Sequence, residues 1–282
     1  MLTVESILTS LLEWARVESN VLALIETGST SRGDGRRDEF SDLDIEVIAR
    51  DPQRLLADDS WFRALGDVWV VLRFDELRHP TRLVIYDGGA KVDYTVAGAD
   101  RLTEMRERLD ALYERGYRAL LDKEGLAKAL PPSTGAFPEH AAPTQQEFDA
   151  VVEEFWFEAT HMPRYLARDD LWVVKFRDWT MKQDLLTMLE WRAPARSGHP
   201  VDVWYIGTRM KSWVDAPTWQ QVHEVFGRFD RADSWRALLA TADLFARASR
   251  ETADRCGLTY PARLESDVRS YLASFAPGTA RD

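Results

Sequence analysis

The first half of the chain mixes helical and strand-like hydrophobic patterns. Residues 4–19 place Leu8, Leu11, Leu12 and Ala15 on one face of a helix. Short apolar runs rich in β-branched residues predict strands near 21–27, 43–49, 68–72, 82–86, 91–96 and 117–122. Further helices are predicted at 60–65 and 99–115, and a hairpin turn is predicted at 87–90.

The second half is almost wholly helical in pattern. A Pro-rich segment from Pro131 to Pro143 separates it from the first half. Thr144 and Glu147 have the spacing of a capping box at the start of the first helix. Helical spacing then recurs near 145–166, 170–193, 218–229, 233–256 and 261–275. We therefore predict an α+β protein, with a mixed sheet and flanking helices in residues 1–132 and a helical bundle in residues 144–282.

Two aspartates stand at the start of the second predicted strand. Asp42 and Asp44 are two positions apart, so they point to one side of the strand while Leu43 and Ile45 point to the core. Carboxylates this close repel each other unless a cation lies between them, and Mg²⁺ prefers oxygen ligands of this kind. An Asp-x-Asp pair is common by itself, however, and Asp42 could simply begin a strand after a loop.

A Gly-Ser corner precedes this pair by twelve residues. Gly28 allows a sharp turn at the end of the first strand, and Ser29 offers a hydroxyl and backbone N–H groups to a phosphate. Ser29 could equally be an ordinary turn residue. Arg32 is a candidate triphosphate contact because guanidinium groups suit phosphate geometry, although it could also be solvated.

A third acidic residue lies in a later strand. Asp93 stands among apolar and β-branched neighbours, where a lone carboxylate is expensive to bury. If this strand lies beside the Asp42/Asp44 strand, the three carboxylates form a cluster that can hold two metal ions around an in-line phosphoryl displacement. Lys91 shares a face with Asp93, so it either neutralises the cluster, touches a phosphate or is a surface lysine.

The predicted helices of the second half carry candidate ligand-binding residues. Lys182, like Lys175, could reach a triphosphate, although most helix lysines are solvated. Five acidic residues are candidates for a cationic substrate: Glu153, Glu154, Asp178, Asp184 and Glu190. We favour Glu154, Asp178 and Glu190, together with Trp156, although tryptophan at helical spacing usually belongs to the core.

Composition narrows the function classes. The chain has 282 residues and a net charge of −11, which argues against a nucleic-acid-binding surface and is compatible with a polycationic substrate or with solubility alone. Cys256 is the single cysteine, so intramolecular disulfides are excluded. No apolar run is long enough to span a membrane, and the N-terminal residues do not resemble a signal peptide. We expect a cytoplasmic monomer.

These motifs together resemble the DNA polymerase β-type nucleotidyltransferase superfamily, and more closely the bacterial aminoglycoside 6-adenylyltransferases. The superfamily pattern is Gly28-Ser29, twelve residues, Asp42-Leu43-Asp44-Ile45 and then Val92-Asp93-Tyr94. The closer resemblance rests on the segments 37–45, 91–95, 154–156, 184–191 and 244–245. The sequence departs from the family at Thr30, where an arginine commonly follows the Gly-Ser pair.

The resemblance implies transfer of AMP from ATP to the 6-hydroxyl of streptomycin, with release of pyrophosphate. Asp42, Asp44 and Asp93 would then hold two Mg²⁺ ions, with Asp93 as the general base, and Ser29 and Arg32 would position the phosphates. Two alternatives stay open. One is a nucleotidyltransferase with another acceptor, such as a lincosamide or a protein hydroxyl, and the other is a non-catalytic nucleotide- or drug-binding module.

Overall fold

The computed structural model describes residues 2–32, 38, 40–138 and 141–275. The chain divides into two compact units, Met1–Pro138 and Glu139–Asp282, and the division falls inside the Pro-rich segment. We call them the sheet unit and the helical unit. Together they form the α+β architecture that the sequence predicts.

A six-stranded mixed sheet forms the centre of the sheet unit, with the strand order β3-β4-β5-β2-β1-β6. Strands β2 and β5 pair in parallel, and the other neighbours pair antiparallel. The strands are β1 (Val21–Thr27), β2 (Leu43–Ala49), β3 (Val68–Phe74), β4 (Thr81–Tyr86), β5 (Lys91–Gly98) and β6 (Arg118–Asp122). All six occur where the hydrophobic pattern predicts them.

Short helices surround the sheet: α1 (Val4–Val17), α2 (Gly28–Ser31), α3 (Pro52–Ala57), α4 (Ser60–Arg63), α5 (Ala99–Glu104) and α6 (Ala111–Arg115). The single helix predicted at 99–115 is wrong. Asp110 caps a new helix by accepting hydrogen bonds from the backbone N–H groups of Leu112 and Tyr113, so the chain restarts there. The short helix α3 was also missed, although Asp51 caps it and Pro52 occupies its first position.

The two faces of the sheet pack against different apolar layers. Leu43 and Ile45 of β2 lie on the face that packs against α1 and α4. The opposite face carries Ile48, which packs against residues of α5 and α6. Because side chains alternate along a strand, Asp44 and Glu46 lie on the same face as Ile48. The carboxylates of β2 therefore point away from the α1 layer, as the sequence predicts.

The helical unit packs six helices around an aromatic and aliphatic core. They are α7 (Gln145–Ala167), α8 (Leu171–Ser197), α9 (Met210–Trp213), α10 (Ala216–Val225), α11 (Arg231–Cys256) and α12 (Ala262–Ala273). Only the single-turn α9 was not predicted. The predicted capping box is present, because Thr144 and Glu147 exchange hydrogen bonds at the start of α7. None of the helices in the described residues is both long and apolar enough to cross a membrane.

Candidate functional site

Three aspartates meet on one face of the sheet. The parallel register of β2 and β5 places Asp44 opposite Asp93, and Asp42 lies two residues before Asp44. Each contributes one carboxylate oxygen to a group in which all the oxygens lie within 4.8 Å of one another. The predicted adjacency of the two strands is therefore confirmed. We call Asp42, Asp44 and Asp93 the sheet triad.

Lys91 bridges two members of this triad. Its Nζ donates a hydrogen bond to Asp42 at 2.6 Å and another to Asp93 at 2.9 Å. Burial alone would lower the pKa of Lys91, but the two hydrogen bonds outweigh it and raise the pKa. Lys91 therefore stays charged and neutralises part of the triad, which is one of the roles that its position in the sequence suggests.

Asp44 is the member of the triad to which Lys91 does not donate a hydrogen bond. Burial, followed by the charges of Asp42 and Asp93, raises the pKa of Asp44 to about 6, although Lys91 and Arg32 act to lower it. Oδ1 of Asp93 is buried and accepts no hydrogen bond from the described residues. Oxygen atoms this crowded, with one of them buried and unsatisfied, have the chemistry of a site for a hard divalent cation such as Mg²⁺. The residues present therefore fit such an ion.

Gly28 is sterically tied to the triad. Its φ of +72° lies in the left-handed region, and a Cβ atom there would lie 1.8 Å from Oδ2 of Asp44. No side chain fits between the Gly-Ser corner and the Asp44 carboxylate. This close approach gives a physical reason for the association of Gly28 and Asp44 in the sequence motif.

Ser29 lies next to Gly28 in α2, which is a single turn of helix. A helix this short has little dipole, so the hydroxyl and the backbone N–H groups are what Ser29 offers a phosphate. Arg32 follows at the end of α2, close enough to lower the pKa of Asp44. Residues 33–37 and 39 of the predicted motif lie outside the described residues.

A second glycine, Gly116, contacts this turn, and the sequence analysis did not identify it. Oγ of Ser31 donates to the backbone oxygen of Gly116 at 2.8 Å. Gly116 has a φ of +145°, and a Cβ atom there would lie 2.8 Å from Cα of Arg32. An isolated glycine between a helix and a strand was its only signal in the sequence.

A fourth carboxylate on the same strand face is already satisfied. Glu46 is buried and accepts two hydrogen bonds from Arg101, at 3.1 and 3.0 Å, and one from Tyr113 at 2.7 Å. A carboxylate with three donors has no need of a metal ion. Glu46 therefore fixes α5 and α6 against the sheet, whereas the triad keeps uncompensated charge.

Some residues predicted to bind ligands are engaged inside the helical unit. Nζ of Lys182 donates to Asp178 at 2.5 Å and to Thr241 at 2.9 Å, and both members of this ion pair are buried. Trp156 is 0% exposed in the core. These positions give no support to the predicted contacts of Lys182 with ATP or of Asp178 and Trp156 with an acceptor, because their charges or surfaces are already used.

The other two predicted acceptor residues are better placed. Glu154 is exposed on α7. Glu190 is half-buried on α8, and burial raises its pKa to about 7. Both carboxyl groups can therefore still meet a ligand.

Several known proteins are similar to this chain. An aminoglycoside 6-adenylyltransferase of Campylobacter jejuni is 21% identical over 258 residues, covering 89% of this chain and 88% of that protein. One from Bacillus subtilis (strain 168) is 21% identical over 261 residues, covering 89% and 90%. The crystal structure of an aminoglycoside 6-adenyltransferase from Bacillus subtilis aligns over 98% of both chains with 17% identity and a TM-score of 0.46.

The family model decides the classification. The model of the streptomycin adenylyltransferases matches residues 1–275, which is nearly the whole chain. The match includes the Gly-Ser corner, all three members of the sheet triad and the helical unit as far as residue 275. The chain therefore belongs to the streptomycin adenylyltransferase family, whose members are nucleotidyltransferase enzymes.

Proposed function

We propose that this enzyme transfers AMP from ATP to a hydroxyl of an aminoglycoside, the 6-hydroxyl of streptomycin, and so inactivates the antibiotic. The convergence of the sheet triad beside Gly28 and Ser29 is the observation that carries the proposal. The acceptor is inferred from the relatives, which are named aminoglycoside 6-adenylyltransferases.

The reaction is a displacement at the α-phosphorus of ATP. The acceptor oxygen forms a bond to this phosphorus, the bond to the bridging oxygen of pyrophosphate breaks, and pyrophosphate leaves. Asp93 is our candidate for the general base that takes the hydroxyl proton. Burial raises the pKa of Asp93 while Lys91 lowers it, which brings a carboxylate closer to the range useful for proton transfer than a solvated aspartate.

Asp42, Asp44 and Asp93 would hold two Mg²⁺ ions. Bound Mg²⁺ supplies positive charge that lowers the pKa of the attacking hydroxyl and stabilises the leaving pyrophosphate. A cation at the triad also favours the ionised form of Asp44, whose pKa of about 6 reflects the repulsion from its neighbours.

The Gly-Ser corner would position the triphosphate. Ser29 offers its hydroxyl and Arg32 its guanidinium to the β- and γ-phosphates. Positioning and electrostatic stabilisation supply most of the acceleration in phosphoryl transfer. Ser31 and Gly116 serve this function indirectly, because they hold α2 in place.

The helical unit would bind the acceptor. A cationic drug suits a chain with 47 acidic and 36 basic residues. Glu154 and Glu190 are the predicted acceptor residues whose carboxyl groups are still accessible. Because the reaction consumes ATP, we place the enzyme in the cytoplasm, and we expect it to act as a monomer.

Pyrophosphate release tests the proposal. The protein is incubated with ATP and Mg²⁺, with ATP and EDTA, and with streptomycin or lincomycin added in each case. Release that requires both Mg²⁺ and streptomycin is the expected result. Release with lincomycin alone would retain the nucleotidyltransferase site and exclude the streptomycin assignment. No release with either drug, in protein that binds ATP, would favour a binding module or a different acceptor.

A further inference from the structure

Three carboxyl groups and one basic side chain lie together on α7 and α8. Glu154 and Glu158 are one turn apart on α7, and Arg177 and Asp184 are two turns apart on one face of α8. Nη1 of Arg177 donates to both carboxylate oxygens of Glu158, at 3.1 and 2.8 Å. This pair shows which face of α8 is turned to α7, and Asp184 lies on that face. We call Glu154, Glu158 and Asp184 the helical triad.

Asp184 is the buried member of this triad, and it lacks a hydrogen-bond partner. Its side chain belongs to a residue that is only 7% exposed, and its Oδ2 is fully buried. Within residues 2–32, 38, 40–138 and 141–275, no group donates a hydrogen bond to it. Burial, together with the charges of Glu154 and Glu158, raises the pKa of Asp184 to about 7. A buried carboxyl group without a donor is costly, and a cation beside it would remove the cost.

One member of the helical triad, Glu158, already binds a guanidinium group of the protein itself. The guanidinium of Arg177 binds Glu158 and lies over the ring of Tyr165, 5.2 Å from its centre. One basic side chain cannot pair with three carboxyl groups, and among them Arg177 contacts only Glu158.

We propose that Glu154, Glu158 and Asp184 form a binding site for a guanidinium group of a small cationic ligand, with Asp184 as the residue that sets the affinity. Carboxylates bind guanidinium groups in pairs of parallel hydrogen bonds, which gives such a site geometric selectivity over a single ammonium. The identity of the ligand as the acceptor rests on the proposed function, but its binding can be measured without catalysis.

Calorimetric titration of the full chain with streptomycin, in the absence of ATP and Mg²⁺, tests this site. Asp184→Asn is expected to weaken binding about tenfold or more, because it removes the charge that the ligand compensates. Without ligand, the same variant is expected to melt about 2 °C above the wild type, because it no longer buries an uncompensated carboxylate. A residue that only supports the fold would lower the melting temperature when replaced.

Asp267→Asn is the matched control, since it is the same substitution at an exposed position of α12 and Asp267 is not part of the triad. It is expected to change the affinity by less than about twofold. Equal affinity of streptomycin for the wild type and Asp184→Asn would overturn the site and leave the proposed function standing. If the wild type does not bind streptomycin, agmatine serves as a simple guanidinium probe. Asp184-dependent binding of agmatine would support the site while the acceptor assignment fails, and no binding of either compound would overturn it.

Discussion

The sheet triad and the helical triad each place three carboxyl groups around one basic side chain, but their positions are fixed in different ways. In the sheet, the register of β2 and β5 sets Asp44 opposite Asp93, and Lys91 bridges two of the three carboxylates. In the helical unit, side-chain packing between α7 and α8 brings the groups together, and Arg177 binds one of them. In both clusters one aspartate lacks a hydrogen bond from the basic side chain, and burial with the neighbouring carboxylates raises its pKa, to about 6 for Asp44 and about 7 for Asp184.

A comparison with Glu46 shows when a buried carboxyl group indicates a ligand site. Glu46 shows the structural case, because three donors satisfy its carboxylate completely. Asp44 and Asp184 have no such set of donors among the described residues, so their burial costs free energy that the fold does not recover. We infer that each is kept for a ligand: a divalent cation at the sheet triad and an organic cation at the helical triad.

The largest effect is expected at the sheet triad. Asp44→Asn should lower the rate of AMP transfer by about 10³-fold or more, because it removes a carboxylate that a metal ion needs. Streptomycin binding without nucleotide should not change, since the helical triad is intact. Steady-state pyrophosphate release and calorimetry measure the two properties. Asp267→Asn, at an exposed position of α12, is the control for the substitution itself.

Loss of activity together with loss of drug binding in Asp44→Asn would break the proposed division between the two triads.

The same assay applies to Asp93→Asn, which we expect to be similarly inactive. Unchanged turnover in Asp93→Asn would exclude the role of Asp93 as a general base.

A second substitution tests the tie between Gly28 and the sheet triad. Gly28→Ala should lower activity by about 10²-fold and destabilise the protein by about 1–3 kcal/mol, because its Cβ would displace the Asp44 carboxylate and its φ is positive. Gly257→Ala is the matched control, with a φ of +70° and no atom within 4 Å of the added Cβ. It should destabilise the fold without changing the activity. Equal activity losses in the two variants would mean that backbone strain alone is responsible.

The pH dependence of stability isolates Asp184. Its pKa is about 7 in the folded protein against an ordinary value of 3.8. Between these values the folded protein holds a proton that the unfolded chain has released, so this group's contribution to stability falls as the pH rises. As the pH rises between the two pKa values, the free energy of unfolding of Asp184→Asn should therefore increase by about 1–3 kcal/mol relative to that of the wild type. Denaturant unfolding at a series of pH values measures this gain, and parallel curves for the two proteins would contradict it.

The smallest effect concerns Lys91. Lys91→Met removes the ammonium that bridges Asp42 and Asp93, so the variant without metal should lose about 1–2 kcal/mol of stability. Mg²⁺ should then raise the melting temperature more in the variant than in the wild type, because in the variant the ion does not compete with the Lys91 ammonium for the carboxylates. Thermal melting with and without Mg²⁺ decides this. A smaller Mg²⁺ response in the variant would show that Lys91 helps to hold the metal site rather than competing with it.

The sheet triad could be predicted from the sequence because strands impose a strict geometry. Successive side chains of a strand point to opposite faces, so Asp42 and Asp44 lie on the same face. Asp93 joins them because its strand pairs with theirs. The helical triad could not be predicted in the same way, since helical spacing does not say which helices pack together. Glu158 was missed for that reason, and Trp156 was assigned to the acceptor although its ring belongs to the core.

The helix predicted at 99–115 failed for a related reason. Its charged residues follow helical spacing, but Asp110 forms a cap and also pairs with Arg101. A cap and an ion pair inside the segment therefore override its helical spacing. The hydrogen bond between Ser31 and Gly116 could not be predicted for a different reason, because the two residues are far apart in the sequence.

Analysis of the reaction product tests the central claim most directly. Streptomycin is incubated with the enzyme, ATP and Mg²⁺, and the drug is then examined by mass spectrometry and NMR. The account predicts one added AMP group, attached at the 6-hydroxyl, with wild-type protein and none with Asp44→Asn. Unmodified drug from wild-type protein that binds both ATP and streptomycin would contradict the account.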